Sequence, residues 1–269
     1  MSERVGDGSP AEAGARTYSA PALEKGLDIL ELLSCREGGL SQREIARELG
    51  RSVGEIYRML NCLVDRNYVA LNDEVYTLTT KLYELAHRHP PTERLIVEAA
   101  PLMRGLADRL QQACHLTVFG SGKQIVIAKQ DAPDGIGFAV QVGAQIAVPQ
   151  SASGQVLVAF QSVEVRRARL DECMAGRPGE ERAAFEALLE EVVRKGFASL
   201  ESRQYRGVQA VSFPVLDSMH NALAALTVPY LERLDIDDRT RLVDVERELA
   251  EAARCLTARM GGRALAAAA

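Results

Sequence analysis

The sequence predicts an α/β (α+β) chain in two parts. A small helical head ends in a β-hairpin, and a larger domain follows whose mainly antiparallel sheet is flanked by helices. Three features lead to this reading. Two stretches on either side of Gly50 each open with Ser-x-x-Glu. The pair Pro90-Pro91 interrupts the helical pattern. Beyond it, short β-rich runs with glycine turns alternate with helical runs.

Bulk properties narrow the class. The 269 residues leave room for two domains. Apolar residues at 47% and charged residues at 26% are ordinary for a folded globular chain. No run reaches the roughly 18 apolar residues a membrane span needs, so no membrane partner is expected. The start lacks the basic and apolar stretches of a signal peptide. Cysteines 35, 62, 114, 173 and 255 form no Cys-x-x-Cys pair, which favours thiols in a reducing cytoplasm over disulfides or zinc. A net charge of −5 argues against a protein that coats nucleic acid without selectivity, whereas a sequence-specific reader needs only a local basic surface.

Residues 1–19, rich in Gly, Ser, Ala and Glu, are read as a disordered arm. Residues 20–80 form the first domain. Leu23, Leu27, Leu30 and Leu33 recur at helical spacing, and the first three are expected to serve both the core and a contact with a second copy. Gly38-Gly39 ends that region. Ser41-Gln42-Arg43-Glu44 is a capping box, in which each side chain satisfies a free amide at the helix start. Gly50 stands where a left-handed C-terminal cap belongs. Ser52-Val53-Gly54-Glu55 opens a third helix with Val53, Ile56, Leu60, Leu63 and Val64 as its apolar face. Two short capped helices around a glycine turn form the helix-turn-helix signature. Tyr68–Leu71 and Val75–Leu78 around Asn72-Asp73-Glu74 read as a hairpin, and a hairpin in that place is a wing.

Residues 79–87 continue as a helix, broken at His89-Pro90-Pro91-Thr92, and 81–94 are assigned as linker. The second domain spans 95–262. It starts with a helix from Leu95 to Gln112, followed by a hairpin of 116–119 with 124–128 and a strand over Phe138–Val142. Helices are predicted at 153–161, 163–174 and 180–195, the last ending at Gly196. Strands at 208–216 and 223–228 pair around Asp217–Asn221. A helix over 237–259 closes the domain, and 263–269 form a tail.

These segments resemble the IclR family of bacterial regulators over about residues 20–262. The residues concerned are Ile29–Leu33, Ile56–Leu60, Tyr76–Leu78, Gly143, Ser151–Phe160, Gly196-Phe197, Gly207-Val208 and Phe213–Val215. The resemblance implies a winged helix-turn-helix, a linker helix and a GAF-like effector domain. It also implies a cytoplasmic homodimer or dimer of dimers, repressor or activator, that binds an operator in double-stranded DNA and answers to an organic acid or aromatic metabolite. No cofactor, metal or catalytic residue is expected. Where the family often has Ser-Thr this chain has Gly54-Glu55, it has Thr79 where Gly is frequent, and Gln150 replaces a common His. The operator sequence and the ligand therefore do not transfer.

A helix in the major groove shows its first turns to the bases. Here these are Ser52, Gly54, Glu55, Tyr57, Arg58 and Asn61. Ser41, Gln42 and Arg43 at a helix start, and Arg51 in the turn, are placed to meet phosphates. Two readings stand for some of them: Glu55 caps the helix or reads cytosine, and Tyr57 packs on the wing or touches DNA. Residues 22–86 hold 8 Lys/Arg against 11 Asp/Glu, and 41–66 hold 5 Arg against 4 acids, so binding must rest on avidity and on where the arginines point. For the effector, Ala152-Ser153-Gly154 begins a helix whose free amides suit a polar group, although Ser153 is equally a plain N-cap. The resemblance adds Glu201, Val208, Ala210 and Thr227, with Phe138 and Ile146 as an apolar wall. His115 either faces the same pocket or is a core residue, and Glu201 either lines it or is a surface acid.

Two other functions compete with this reading. An enzyme is disfavoured because Ser151-Ala-Ser-Gly lacks the nucleophile elbow and His87-Arg-His89 has no third ligand. A cysteine-based redox regulator using Cys62 or Cys114 has no sign of an activated thiol in the sequence.

Overall fold

Reciprocal caps set the helices of the head. A computed structural model describes residues 20–87, 90–134, 137–203, 205–234 and 240–263. The expected arm (1–19), His89, and all of the expected tail but Arg263 lie outside the described residues. Contacts divide the chain into two units, Met1–His89 and Pro90–Ala269.

In the first unit, α1 (Pro21–Ser34) starts on a proline, whose missing N–H costs nothing at that position. It leads through β1 (Leu40–Ser41) to α2 (Gln42–Glu48) and α3 (Val53–Asp65). Both capping boxes are formed. Ser41 Oγ accepts from the Glu44 amide at 3.4 Å and Glu44 Oε2 accepts from the Ser41 amide at 2.8 Å. The Ser52–Glu55 pair repeats this at 3.3 and 2.9 Å. Gly50 turns the chain between them at φ +62°. The wing is β2 (Val69–Asn72) and β3 (Val75–Leu78), and α4 (Lys81–His87) follows. Asp73 and Glu74 both have positive φ, which matches the twist a two-residue hairpin turn requires.

Ile29, Leu33, Ile45, Ala46, Ile56, Leu60, Val69 and Tyr76 make the core of this unit. Two expectations are corrected. Leu23 and Leu27 are 63% and 48% exposed and lie outside the core, whereas Leu30 is half-buried and packs against it, because the buried stripe of α1 runs through Ile29 and Leu33. Val53 is exposed, since the first residue of α3 lies ahead of the turn that meets the core. The third strand β1 was not foreseen. It pairs with β3 through Leu40↔Tyr76 and Ser41↔Val75.

In the second unit, α5 (Pro90–Leu110) has both prolines in its first turn, so they open the helix five residues ahead of the expected Leu95 start. The strands are β4 (Cys114–Gly120), β5 (Lys123–Gln130), β6 (Gln145–Ala147), β7 (Ala198–Glu201), β8 (Val208–Leu216) and β9 (Ala222–Leu231). They form an antiparallel sheet in the order β6-β5-β4-β9-β8-β7. The helices are α6 (Ala152–Ala159), α7 (Val163–Cys173), α8 (Gly179–Lys195) and α9 (Leu242–Arg259).

Two cores sandwich the sheet. Leu106, Leu110, Leu226, Leu249 and Leu256 belong to the core shared by α5, α9 and one sheet face. Val156, Leu157, Leu189, Ala198 and Ala225 belong to the core under α6–α8 on the other. Coverage on both faces explains why β8 and β9 are apolar almost without alternation.

The expected strand at Phe138–Val142 is absent from the described structure. The turn at Gly143 takes the ladder groups of Val126: Gly143 N donates to Val126 O at 2.8 Å, and Val126 N donates to Ala144 O at 3.1 Å. Pairing with β5 therefore occurs only at Gln145–Ala147, and 138–142 stay outside the ladder. The short edge strand β7 also escaped the sequence reading. The closing helix begins at Leu242, later than the expected 237, and residues 237–239 lie outside the described ones.

Gly39 lets β1 reach β3. Its φ is +73°, and an added Cβ would lie 2.5 Å from Thr77 Cγ2 and 2.6 Å from Tyr76 O. Gly39→Ala is expected to lower the stability of the head by at least about 1 kcal/mol. Thermal denaturation followed by circular dichroism checks this, and an unchanged melting temperature would contradict it.

Candidate functional site

The outer face of α3 is set by its inner one. Ile56 and Leu60 are fully buried, so at 100° per residue Gly54, Tyr57, Arg58 and Asn61 turn outward, and all four are exposed. Arg43 at the start of α2 is exposed as well. Among the described residues, neither Arg43 nor Arg58 has an ion pair, so their charges are available to an outside anion.

Other expected readers are engaged within the protein. Glu55 Oε2 accepts from Ser52 N and Oγ, both at 2.9 Å, and Oε1 pairs with Lys25 Nζ at 3.1 Å. The Ser52 backbone bond, then the Ser52 hydroxyl and Lys25, pull the carboxyl down to about 2. With both oxygens held, its geometry is that of a cap rather than a cytosine reader. Ser41 and Ser52 spend their hydroxyls on the caps, and Gln42 Nε2 donates to Val53 O at 3.4 Å. Arg51, expected to meet phosphate, pairs with Asp28 at 2.8 Å. Tyr57 is exposed and lies near the wing: the Tyr76 phenol is raised first by burial and then by Tyr57.

The second unit contains a cavity of about 360 Å³ on the α6 side of the sheet. Its lining brings together His115, Phe138, Ile146, Ala152, Ser153, Val208, Ala210 and Thr227, all of them expected from the sequence. Two expected residues are not in it. Gly154 is there for packing, because an added Cβ would collide with the Val148 carbonyl and lie 2.8 Å from Ser151 Oγ. Glu201 lines a neighbouring cavity of about 260 Å³ with Gln155 and Lys195. The N-cap of α6 is Ser151, whose Oγ accepts from Gly154 N at 3.3 Å, rather than Ser153. Ser153 is buried in the first turn, and among the described residues its hydroxyl bonds no protein group.

Sequence reasoning missed Gln150, Leu200, Arg203 and Tyr205 in the lining. Tyr205 packs on Phe138 with ring centroids 4.6 Å apart, so the segments 138–144 and 202–207 meet at the cavity. A Tyr in a polar loop was the one available signal for this. Among the described residues, the ionisable side chains of the lining are His115, Arg203 and Tyr205, with no carboxylate. An anionic guest therefore meets no like charge in the wall.

His115 is 4% exposed, and burial pushes its imidazole down to about 4. Its Nδ1 is sealed from solvent without a partner. Of the two cysteines weighed for redox chemistry, Cys114 is buried and raised to about 12 by that burial, the opposite of an activated thiol. Cys62 is exposed on α3. Among the described residues, no group of three His, Cys, Asp or Glu side chains could hold a metal, and no helix is long and apolar enough to cross a membrane.

The buried imidazole makes stability depend on pH. Its folded value of about 4 lies below the unfolded reference of about 6.5, so the unfolded chain binds the proton more readily. Its contribution is complete above about 6.5 and is lost as pH falls through 4, to a total of at most about 3 kcal/mol. The drop in melting temperature between neutral pH and the acid end of that window should be smaller in His115→Asn than in the parent. Equal drops would show that the ring does not titrate this way.

The family model described as "IclR helix-turn-helix domain" matches residues 22–73, and "Bacterial transcriptional regulator IclR C-terminal" matches 92–256. The chain is 26% identical over 257 residues to the HTH-type transcriptional regulator KdgR of Escherichia coli, covering 93% of this chain and 97% of that protein. It is 28% identical over 242 residues to the glycerol operon regulatory protein of Streptomyces griseus, covering 86% and 94%. Among solved structures, an IclR homolog from Microbacterium hydrocarbonoxydans complexed with 4-hydroxybenzoate aligns at TM-score 0.72 and 20% identity, covering 89% of this chain and 98% of that one. HmgR of Pseudomonas aeruginosa aligns at 0.66 and 25% identity, covering 90% and 100%. Capped helices with a wing, a sheet domain with a cavity on one face, and both matched segments together identify the chain as a member of the IclR family of bacterial transcriptional regulators, a non-enzymatic regulator with an effector-binding C-terminal domain.

Proposed function

We propose that α3 reads an operator in the major groove, and that an organic acid or aromatic compound held in the cavity changes operator affinity. Residues 20–80 hold the DNA, 95–262 hold the effector, and 81–94 transmit the change. The single observation that supports the first half most directly is the exposed Arg58, without an ion pair among the described residues, on the face of α3 opposite Ile56 and Leu60. For the second half it is the apolar cavity whose described lining residues include a cation, Arg203, and no carboxylate. The 4-hydroxybenzoate complex of a structural neighbour agrees with an aromatic acid as guest.

The protein works in the cytoplasm as a homodimer or dimer of dimers. Two copies of a weakly charged head gain affinity by avidity, and two-fold symmetry calls for a partly palindromic operator. The effector acts by preferring one arrangement of the two heads, which is a coupling free energy between separate sites.

The test begins with an operator selected from a pool of random duplexes by the full chain. Arg58→Ala should weaken binding to it by roughly 10- to 100-fold, as expected for one lost base or phosphate contact of about 1–3 kcal/mol. Melting temperature and oligomeric state should stay within error. Undiminished binding by the variant would show that α3 is not oriented this way. A thermal-shift screen with small organic and aromatic acids should raise the melting temperature of the full chain. If none of them does, the effector class is wrong.

A further inference from the structure

We infer that His115 is the residue by which the cavity selects its effector, and that the hydroxyl group of a hydroxylated small molecule is what it reads. This rests on the cavity being the effector site.

Three polar side chains occupy one row of the sheet. His115 of β4 pairs in register with Thr227 of β9, and Thr227 pairs with Ser212 of β8. All three are buried, with apolar Val208, Ala210 and Ala225 around them on the same face; Thr117, the other buried polar side chain of β4 on that face, donates to Ala225 O at 3.5 Å. Thr227 and Ser212 satisfy each other, with their hydroxyl oxygens 2.9 Å apart. His115 has no such arrangement. Among the described residues, neither ring nitrogen makes a hydrogen bond. Nδ1 is the sealed one, which leaves the Nε2 edge to the cavity that the ring lines.

A histidine serving only the core would be expected to have a partner, because buried polar groups are bonded with few exceptions. An apolar side chain would fill the same space without that requirement. Nδ1 is sealed and out of a guest's reach, so the partner from outside the chain is the one that Nε2, on the cavity side, can take.

The charges around the ring define what that partner is. Its other ladder neighbour, Lys129 of β5, is paired with Asp131 at 2.9 Å. Arg203 and Tyr205 reach the cavity from the 202–207 segment, and neither α6 nor β9 places a charged side chain in the lining. With no carboxylate among the described lining residues and full burial, the imidazole is neutral, with one N–H and one bare nitrogen. A hydroxyl suits either tautomer: it donates to a bare nitrogen or accepts from an N–H. Phe138, Ile146, Val208 and Pro229 provide apolar contact for the carbon skeleton that bears it, and the unbonded Ser153 hydroxyl offers a second polar contact.

Pairs of acids that differ by one hydroxyl test this on the full chain: 4-hydroxybenzoate with benzoate, 3-hydroxybutyrate with butyrate, and lactate with propionate. Titration calorimetry should show the hydroxylated member of at least one pair binding roughly tenfold tighter or better. That preference should fall below about threefold in His115→Phe, which keeps a ring without hydrogen bonds, and should partly return in His115→Asn. The chain has four histidines, so the His115 ring nitrogens can be resolved by ¹⁵N NMR and should shift when the hydroxylated acid is added. This readout stands even if His115→Phe fails to fold.

Equal affinities within every pair, a preference unchanged in His115→Phe, or an unmoved His115 signal on saturation would each overturn the inference. Ala139→Trp, at an exposed lining position, separates it from the cavity reading. If that variant blocks binding while His115→Phe leaves the preference intact, the cavity stands and the role of His115 falls. If Ala139→Trp leaves binding unchanged, or no acid binds at all, both fall.

Discussion

The long antiparallel pairing of β8 with β9 is the constraint on which the effector domain depends. It runs from Val208↔Leu231 to Leu216↔Ala222 and is covered on both faces. Every backbone group in its interior must be satisfied along the ladder, since no water reaches them. That requirement holds the strands in one register, and register decides which side chains face α5 and α9 and which face α6. His115 and Thr227 point to the cavity because Cys114, Leu226 and Val228 point to the other core.

The cavity exists where coverage of the α6 side is incomplete. Toward α8 the face is filled by Leu157, Leu189 and Ala225. Toward the start of α6, the chain crosses as the 138–150 segment and by the turn from Val148 to Ser151, instead of a helix. Ser151 holds that turn: it donates to Ala147 O at 2.8 Å, accepts from Gly154 N, and accepts from Gln124 Nε2 at 2.5 Å. Gly154 allows the turn to come close. The site is thus a product of packing geometry, and His115, Ser153 and Arg203 are polar side chains that line it.

The head follows a different logic. Its helices are short, and a short helix has as many unsatisfied end groups as satisfied ones. The two Ser–Glu boxes answer this locally, and in doing so they occupy side chains that would otherwise be free for DNA. Glu55 shows the consequence. A residue at the start of α3 is drawn into the cap and into a pair with Lys25, which leaves Arg58 and Asn61 as exposed polar side chains farther along the helix.

What the residues determined by themselves were the features whose causes lie within a few positions. The capping boxes at Ser41 and Ser52, the left-handed glycines at 50 and 196, and the wing hairpin all depend on neighbours in the chain. Part of the cavity lining, such as Val208, Ala210 and Thr227, was legible only through the resemblance to a known family. Only the tertiary structure decided the rest. Whether Glu201 or Arg203 faces the cavity depends on an edge strand of four residues, and its pairing with β8 is invisible to local pattern. Whether Phe138 sits in a strand depended on the Gly143 turn capturing Val126 first. That His115 has no partner is a property of the space around it, created by strands more than a hundred residues apart, and no reading of adjacent residues contains it.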